Sequence, residues 1–380
     1  MANTLGNYNP TFYAQEALIQ LENQLGMGNR VHRGYEDERN SFQRGDTISI
    51  RKPSTFTVAN APATAEDLAT ETSSITLNQW KEVKFKLSDK ELAFTQQRII
   101  EEHIAPASYA IANYVDADLC GLYTDVGNGV AYGGSSALAD IGNVRKGMRD
   151  NKVPFDGRLH LMVDSTVESD FVTDSAFSQH QGAGQSGVDT QMTGTLGRKL
   201  GYEIFANQNV KAHTGGTATD LALAVNGAHA KGVTSLAVDS GTGSQTFKAG
   251  DTFSIAGDSQ KYAITADVTL SSGAGTLSIS PALQVAVSGS EVVTADATDD
   301  FSGVNIGFHR NAFALALAPL PDQLPRNLGA QVATVSNPKS GLAIRSRLYY
   351  VGNSSEVHVA LDVLYGYKTL DPNLAYRLNR

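Results

Sequence analysis

The chain has 380 residues, of which 41% are hydrophobic and 18% are charged, with a formal net charge of −9 and one cysteine. This length suits two or three domains. The acidic balance argues against a protein that grips nucleic acid with a basic face, but not against one that surrounds it. No secretory pattern or membrane-length apolar run is visible, so we expect a soluble chain made in a reducing cytoplasm.

Residues 1–44 are predicted to form an N-terminal arm. Asn9 is placed as the N-cap of a helix with Pro10 at its first position. Apolar residues then recur at helical spacing, at Phe12, Leu18, Ile19, Leu21 and Leu25. Residues 26–45 are polar and have no hydrophobic periodicity, which indicates a flexible linker. An isolated helix of this length is marginal in water, so we expect it to dock on its own chain or on a neighbour.

Residues 45–87 are predicted to form an extended β-hairpin, because apolar residues alternate on both sides of an Ala- and Thr-rich stretch. The charges separate along this hairpin. The stem is basic, with Arg51, Lys52, Lys81, Lys84 and Lys86, and the tip is acidic, with Glu66, Asp67 and Glu71. In an assembly the tip of one copy could meet the stem of another. A solvated hairpin face is the alternative interpretation.

Residues 88–134 are predicted to hold a long helix. Ser88 and Glu91 have the spacing of a capping box, and apolar residues follow at helical intervals as far as Leu122. Pro106 is expected to kink this helix or split it. The glycine-rich stretch 127–134 ends it.

Helix and strand patterns alternate in residues 135–228, which indicates an α/β or α+β layer. Helices are predicted at residues 136–150 and 165–173, the second capped by Asp164, and strands at 158–163 and 201–205. Residues 178–195 are rich in Gln, Gly, Ser and Thr and are predicted to be a mobile loop.

Residues 229–298 are predicted to form a small all-β barrel inserted into that layer. Residues 232–290 contain no Arg, Glu or His and six charges, and short alternating apolar runs are separated by Gly, Ser and Thr. After this insertion, residues 299–380 return as strands. They end in a hairpin whose second strand alternates from Val357 to Tyr367, with one buried face expected.

No motif in the chain supports a catalytic, cofactor-binding or metal site. The glycines at 127, 129 and 133 follow a helix rather than a strand, so they indicate a turn. The histidines have no ligand spacing. Cys120 lies in a helical apolar pattern and is predicted to be a buried structural thiol. We therefore expect a protein that is not an enzyme and carries no cofactor.

The order of these parts resembles the major capsid protein fold of tailed double-stranded-DNA phages and of encapsulins. Residues 307–316 look like the strand that leaves the inserted domain in coat proteins of short-tailed, lambdoid-type phages. Residues 362–367, followed by Pro372 and Leu374, are similar to the ending of that coat family. Residues 194–201 resemble the turn before its axial-domain strand. The resemblance covers essentially the whole chain.

The resemblance implies an α+β capsid fold: residues 1–44 as the N-arm, 45–87 as the E-loop, 88–134 as spine helix and peripheral domain, 135–228 as axial domain, 229–298 as inserted barrel and 299–380 as return strands. It implies that copies of the chain form the pentamers and hexamers of an icosahedral shell around packaged double-stranded DNA. The implied partners are a scaffolding protein and a portal protein, and no membrane is involved. The virion would assemble in the host cytoplasm. The insertion is shorter than in well-known members, and no Lys–Asn pair supports crosslinking, so we expect a non-crosslinked shell.

Three other interpretations remain open at the level of sequence. One is an encapsulin-like cage that holds protein cargo. Another is a binding or decoration protein that uses the β-module. The third is an enzyme without a recognisable motif, which the chain gives no positive reason to favour.

Overall fold

A computed structural model of the chain describes residues 10–33, 47–51, 60–61, 72–88, 103–179, 185–218, 223–241, 243–296, 300–321, 331–337, 342–353 and 356–380. Its α-helices are α1 (Pro10–Gln24), α2 (Ala105–Cys120), α3 (Ala137–Asp150), α4 (Ser165–Thr173), α5 (Ser175–Ser178) and α6 (Gln185–Thr193). Short 3-10 helices cover Gly121–Asp125, Arg310–Ala312 and Pro372–Leu374.

The strands, in chain order, are β1 (Thr47–Arg51), β2 (Thr72–Thr76), β3 (Gln79–Ser88), β4 (Gly129–Ala131), β5 (Leu159–Val163), β6 (Arg198–Lys199), β7 (Tyr202–Ala206), β8 (Ala224–Val225), β9 (Ser235–Asp239), β10 (Gln245–Phe247), β11 (Thr252–Ile255), β12 (Lys261–Ile264), β13 (Val268–Leu270), β14 (Gly275–Ser280), β15 (Val293–Asp296), β16 (Val304–His309), β17 (Phe313–Ala318), β18 (Gln331–Asn337), β19 (Leu342–Val351), β20 (Glu356–Thr369) and β21 (Ala375–Asn379). This content is α+β, as expected from the sequence.

Contacts divide the chain into two compact units. The first comprises Met1–Leu25, His32–Val115 and Ala314–Lys368, and the second comprises Gly26–Val31, Asp116–Phe313 and Thr369–Arg380. Each unit therefore draws on distant parts of the sequence.

The first unit is built on a sheet with the order β17-β20-β19-β18, and β3 also pairs with β20. Helix α1 packs on β18 and β19. It buries the side chains of Tyr13, Ala14, Ala17, Leu18 and Leu21. The arm helix was expected to dock either on its own chain or on a neighbour, and the structure shows it docked on its own chain. Burial of the apolar stripe stabilises a helix that would be marginal in isolation.

The predicted hairpin is confirmed for β1 and β2, and it is wrong for β3. β1 pairs with β2, from Thr47 opposite Thr76 to Arg51 opposite Thr72. β3 instead pairs antiparallel with β20 along its whole length, from Gln79 opposite Tyr365 to Ser88 opposite Glu356. Alternation identifies a strand but does not select its partner, and β20 offers a longer ladder than the short β2.

The predicted long helix is described only in its second part. Ser88 is the last residue of β3, and residues 89–102 lie outside the described residues, so the capping box at Ser88 and Glu91 stays a prediction. The described α-helix begins at Ala105, directly after the π-helical residues 103 and 104, so Pro106 lies where the helix changes from π to α geometry. It ends at Cys120 rather than continuing to Leu122, and a 3-10 helix follows.

The second unit contains a mixed sheet with the order β4-β21-β16-β5-β7-β6. Its central strands β5 and β16 are buried along their entire length. Helix α3 contributes Ile141, Val144 and Met148 to the core beside this sheet. Helix α4 begins as predicted, with the Asp164 carboxylate accepting a hydrogen bond from the Val167 amide.

Two stretches predicted to be flexible are ordered where the structure describes them. Residues 185–193, within the predicted mobile loop, form α6. Within the predicted linker, the amides of Gly26 and Gly28 donate hydrogen bonds to the distant Asp116 carboxylate, over 2.5 Å and 2.9 Å. Polar composition did not reveal these contacts, because they are made to distant residues.

An all-β region occupies residues 224–296 of the second unit. Its larger sheet has the order β15-β11-β12-β14-β9-β8, and β10 pairs with β13. The first and last strands of that sheet also meet. The Val225 amide donates to Glu291 O over 2.9 Å, and the Val293 amide donates to Leu223 O over 2.8 Å. Phe253, Tyr262 and Leu277 are among the wholly buried residues of its own core.

Candidate assembly surface

The structure separates the residues predicted to form an interface. Lys52, Glu66, Asp67 and Glu71 lie outside the described residues. Arg51 is the last residue of β1, and the three lysines all lie on β3. The basic stem is thus divided between two different sheets.

One side of the β3–β20–β19 sheet is polar. Residues directly opposite each other in neighbouring strands share a side of the sheet. We call this side the polar face; the register assigns to it Trp80, Glu82, Lys84, Lys86, Arg345, Arg347, Tyr349, Val351, Glu356, His358, Ala360, Asp362 and Leu364. The opposite side of β20 carries the alternating apolar residues that predicted this strand.

Asp362 is the centre of the polar face. Its side chain has no solvent exposure, and it accepts hydrogen bonds from Arg345 Nε (3.0 Å) and Nη2 (2.5 Å). Arg347 Nη2 lies 3.3 Å from Asp362 Oδ2 and 2.8 Å from Glu82 Oε2. A buried carboxylate needs such partners, since ions lose much hydration energy on burial. The terminal hairpin was predicted to bury only one of its sides. This prediction is wrong in the middle of the hairpin, where polar residues on the second side are buried too.

Trp80 completes this network and was missed by sequence reasoning. Its indole Nε1 donates to Asp362 Oδ2 over 3.1 Å, while the side chain is 57% exposed. It is the only tryptophan of the chain. The sequence signal that pointed to Trp80 was its position, because this large aromatic residue falls on the side of β3 opposite to the alternating apolar residues.

The three lysines of β3 lie on both sides of the sheet. Lys84 and Lys86 are exposed on the polar face. Lys86 Nζ pairs with Glu356 Oε1 at 2.6 Å, and Lys84 Nζ lies 5.1 Å from the Tyr349 ring centroid. Lys81 lies on the other side, 4.7 Å from the Tyr114 ring centroid. The lysines are thus held by partners within the chain, in contacts that contribute little when exposed.

A second polar cluster is buried in the second unit; we call it the junction cluster and define it as Tyr123, His213, Gly250, Asp251 and Arg377. Arg377 is fully buried and donates to Gly250 O (2.7 Å) and Tyr123 O (2.6 Å). Burial lowers the pKa of Arg377 to about 10. The hydrogen bond from Arg377 to Gly250 connects β21 to a turn of the all-β region.

His213 and Asp251 form the other half of the junction cluster. Their Nε2 and Oδ1 atoms are 2.9 Å apart, and His213 Nδ1 lies 3.2 Å from the Tyr123 hydroxyl. Gly250 has a φ of +107°, and a Cβ there would lie 2.9 Å from the rings of His213 and Tyr123. Glycine is therefore required at this position.

His160 lies beside Glu203 in the same unit. Its Nδ1 is 3.4 Å from Glu203 Oε2, and Arg30 Nη2 approaches Glu203 Oε1 to 2.8 Å. Burial lowers the pKa of His160 to about 4, against the attraction of Glu203. Within the described residues, no three side chains of His, Cys, Asp or Glu are placed to hold a metal ion.

Cys120 is buried, as predicted, and its Sγ lies 3.6 Å from Met162 Sδ. Burial raises the pKa of its thiol, which opposes formation of a nucleophilic thiolate. Among the described helices, none is both long and apolar enough to cross a bilayer.

A family model described as "Phage capsid protein" matches residues 70–271, which is more than half of the chain. A comparison with curated protein sequences finds no match.

Three phage structures are among the solved structures that this chain resembles. A chain of "Mycobacterium phage Che8" has a TM-score of 0.53 and 14% identity, over 93% of this chain and 90% of that one. A chain of "Capsid of Ralstonia phage GP4" has a TM-score of 0.45 and 12% identity, over 93% and 89%. A chain of "Capsid structure of the Cyanophage P-SCSP1u" has a TM-score of 0.45 and 10% identity, over 89% and 84%. At these identities the first likeness concerns the fold alone, and the two lower scores carry no argument.

Proposed function

The chain belongs to the phage capsid protein family and is a major capsid protein of an icosahedral shell, a component of the virion; from this premise we propose how its copies meet and what they enclose. The match over residues 70–271 is the observation that carries the function. A capsid protein acts by assembly, so its function lies in the surfaces that copies present to one another.

We propose that the copies form pentamers and hexamers. A closed shell needs the same contacts repeated around its symmetry axes. Each contact can be modest, because every subunit makes many of them. Neither a cofactor nor catalysis is required for this role, and we propose that the protein is not an enzyme.

We propose that the acidic tip residues Glu66, Asp67 and Glu71 of one copy meet basic residues of a neighbour. The candidate basic residues are Arg51, Lys52, Lys81, Lys84 and Lys86. The exposure of Lys84 and Lys86 on the polar face supports their availability. Charge pairing of this kind favours correct register between copies more than it adds affinity.

We propose that the shell encloses double-stranded DNA without sequence-specific binding. A net charge of −9 disfavours condensation of the DNA onto the wall. A scaffolding protein and a portal protein are the further proposed partners, with assembly in the host cytoplasm.

We propose that residues 229–298 are an inserted barrel domain of the kind found in coat proteins of short-tailed, lambdoid-type phages. The separate core of the all-β region supports this proposal, and so do the hydrogen bonds between its first and last strands. The remaining ranges, 1–44, 45–87, 88–134, 135–228 and 299–380, are proposed as arm, E-loop, spine and peripheral domain, axial domain and return strands.

Negative-stain microscopy of the purified chain, alone and with a candidate scaffolding protein, tests the function. Uniform closed shells are expected, and nuclease-protected DNA is expected in particles from infected cells. Only small soluble species under both conditions would contradict a shell-forming role. Shells that contain protein cargo and no DNA would instead indicate an encapsulin-like cage.

A further inference from the structure

The Trp80 side chain combines exposure with a fixed position. Its N–H is committed to Asp362 at 3.1 Å, and Asp362 is itself held by Arg345. The indole ring nevertheless remains 57% exposed. Buried hydrogen-bonded partners therefore hold a large aromatic surface in one orientation before any partner arrives. A side chain ordered in advance loses less conformational entropy when it is covered.

Charged groups lie on the same side of the sheet as this ring. Arg347 Nη2 lies 3.3 Å from the Asp362 oxygen that accepts from the indole, and it also pairs with Glu82. Tryptophan and arginine are enriched among the residues that dominate binding energy at protein interfaces. The surrounding polar groups of such interfaces exclude water from the central aromatic contact.

The shell role points to a second copy of this chain as the occupant, because a capsid protein meets copies of itself. On the polar face, Lys84, Lys86, Arg345 and Arg347 stand against Glu82, Glu356 and Asp362, a net charge of +1 (four minus three). The whole chain has a net charge of −9, so a second copy is acidic on balance. Complementary charge steers such an encounter and disfavours a basic partner.

We propose that Trp80 is the anchor of a contact between subunits, in which the polar face docks on a second copy and covers the indole ring. This inference rests on the proposed shell function. It goes beyond that function by naming a residue and a sheet face that the charge pattern alone did not identify.

The unaltered protein provides the first test, because Trp80 is its only tryptophan. Emission excited at about 295 nm should shift to shorter wavelength when subunits assemble, because the ring leaves water. The acrylamide quenching constant should fall roughly threefold or more, in line with full burial at an interface core. Shells whose emission and quenching match those of free subunits would overturn the inference and leave the shell function intact. Failure to form any shell would instead count against the function itself.

Substitutions supply the second test. Trp80→Ala should raise the protein concentration needed for assembly by on the order of tenfold or more. Trp80→Phe keeps an aromatic ring and should lie between Trp80→Ala and the wild type. The matched control is Tyr350→Ala on β19, because Tyr350 is 56% exposed and lies on the other side of the sheet. An equal loss of assembly in Tyr350→Ala, or none in Trp80→Ala, would contradict the proposal; circular dichroism confirms that each variant is folded.

Discussion

Arg377 donates a hydrogen bond from Nη1 to the carbonyl oxygen of Gly250 over 2.7 Å, and these residues are 127 positions apart in the sequence. The bond ties the last strand of the chain to the all-β region. The same guanidinium donates to the carbonyl of Tyr123 at 2.6 Å. One buried side chain thus holds three separate segments of the second unit together.

Arg377→Met should destabilise the subunit by about 2–4 kcal/mol, because two buried carbonyls lose their donor while a buried charge is removed. Urea denaturation of dissociated subunits measures the change. Arg198→Met is the matched control: exposed Arg198 also donates to a backbone carbonyl, that of Gly157, over 2.8 Å. The control should change stability by less than about 1 kcal/mol. Equal effects of the two substitutions would contradict the role of the junction cluster.

Asp362→Asn should destabilise the subunit by about 3–5 kcal/mol, because it leaves Arg345 buried without its counter-charge. Lys86→Ala is the control, since it breaks an exposed ion pair with Glu356 and should change stability by less than about 1 kcal/mol. Thermal and chemical unfolding of both variants give the comparison. A small effect of Asp362→Asn would show that the polar face does not depend on this carboxylate.

Reversal of the acidic tip, with Glu66, Asp67 and Glu71 changed to Lys, should reduce assembly and leave folding unchanged. Changing Lys84 and Lys86 to Glu should produce the same defect, because like charges then face each other. A chain that carries both reversals should restore shells, as measured by light scattering and microscopy, because every tip then again faces a stem of opposite charge. Failure of this combined variant, if it is folded, contradicts the proposed pairing of tip and stem.

Stability should fall with acidification because of His160. Its pKa is about 4 in the folded chain and about 6.5 when unfolded, so the unfolded state binds more protons between these values. The contribution is fully present above about pH 6.5 and is lost as the pH falls towards 4. After allowance for solvent screening, the loss is on the order of 1–2 kcal/mol.

The measurement for His160 compares the wild type with His160→Gln in urea denaturation from pH 7.5 to 4.5. Other titrating groups act on both proteins, so the difference isolates His160. The wild type should lose more stability on acidification than the variant. If the free energies of unfolding of the wild type and of His160→Gln changed in parallel with pH, His160 would have the same pKa in the folded and the unfolded chain.

Deletion of residues 231–294 should reduce the yield of soluble folded subunit. The deletion removes most of the all-β core and also Gly250 and Asp251, so Arg377 and His213 each lose one buried hydrogen-bond partner. Refolding yield, followed by fluorescence and by size-exclusion chromatography, measures the effect. Refolding as efficient as that of the full chain would refute a folding role for this region.

Local patterns predicted many of the elements correctly. The alternation from Val357 to Tyr367 predicted β20, and Asp164 was correctly expected to cap a helix. These signals work because side-chain period and capping depend on residues close in sequence. Local signals did not reveal the pairing of β3 with β20, because the partner strand is distant in the sequence.

The sequence by itself determined the α+β class, the position of several described strands, the acidic charge and the absence of a recognisable catalytic motif. Only the tertiary structure decided which strand β3 pairs with and which polar groups are buried together. Trp80 and Asp362 are 282 positions apart, and no local period relates them. The energy of a buried charge depends on the partners that folding brings to it, so the junction cluster and the polar face became visible only in three dimensions.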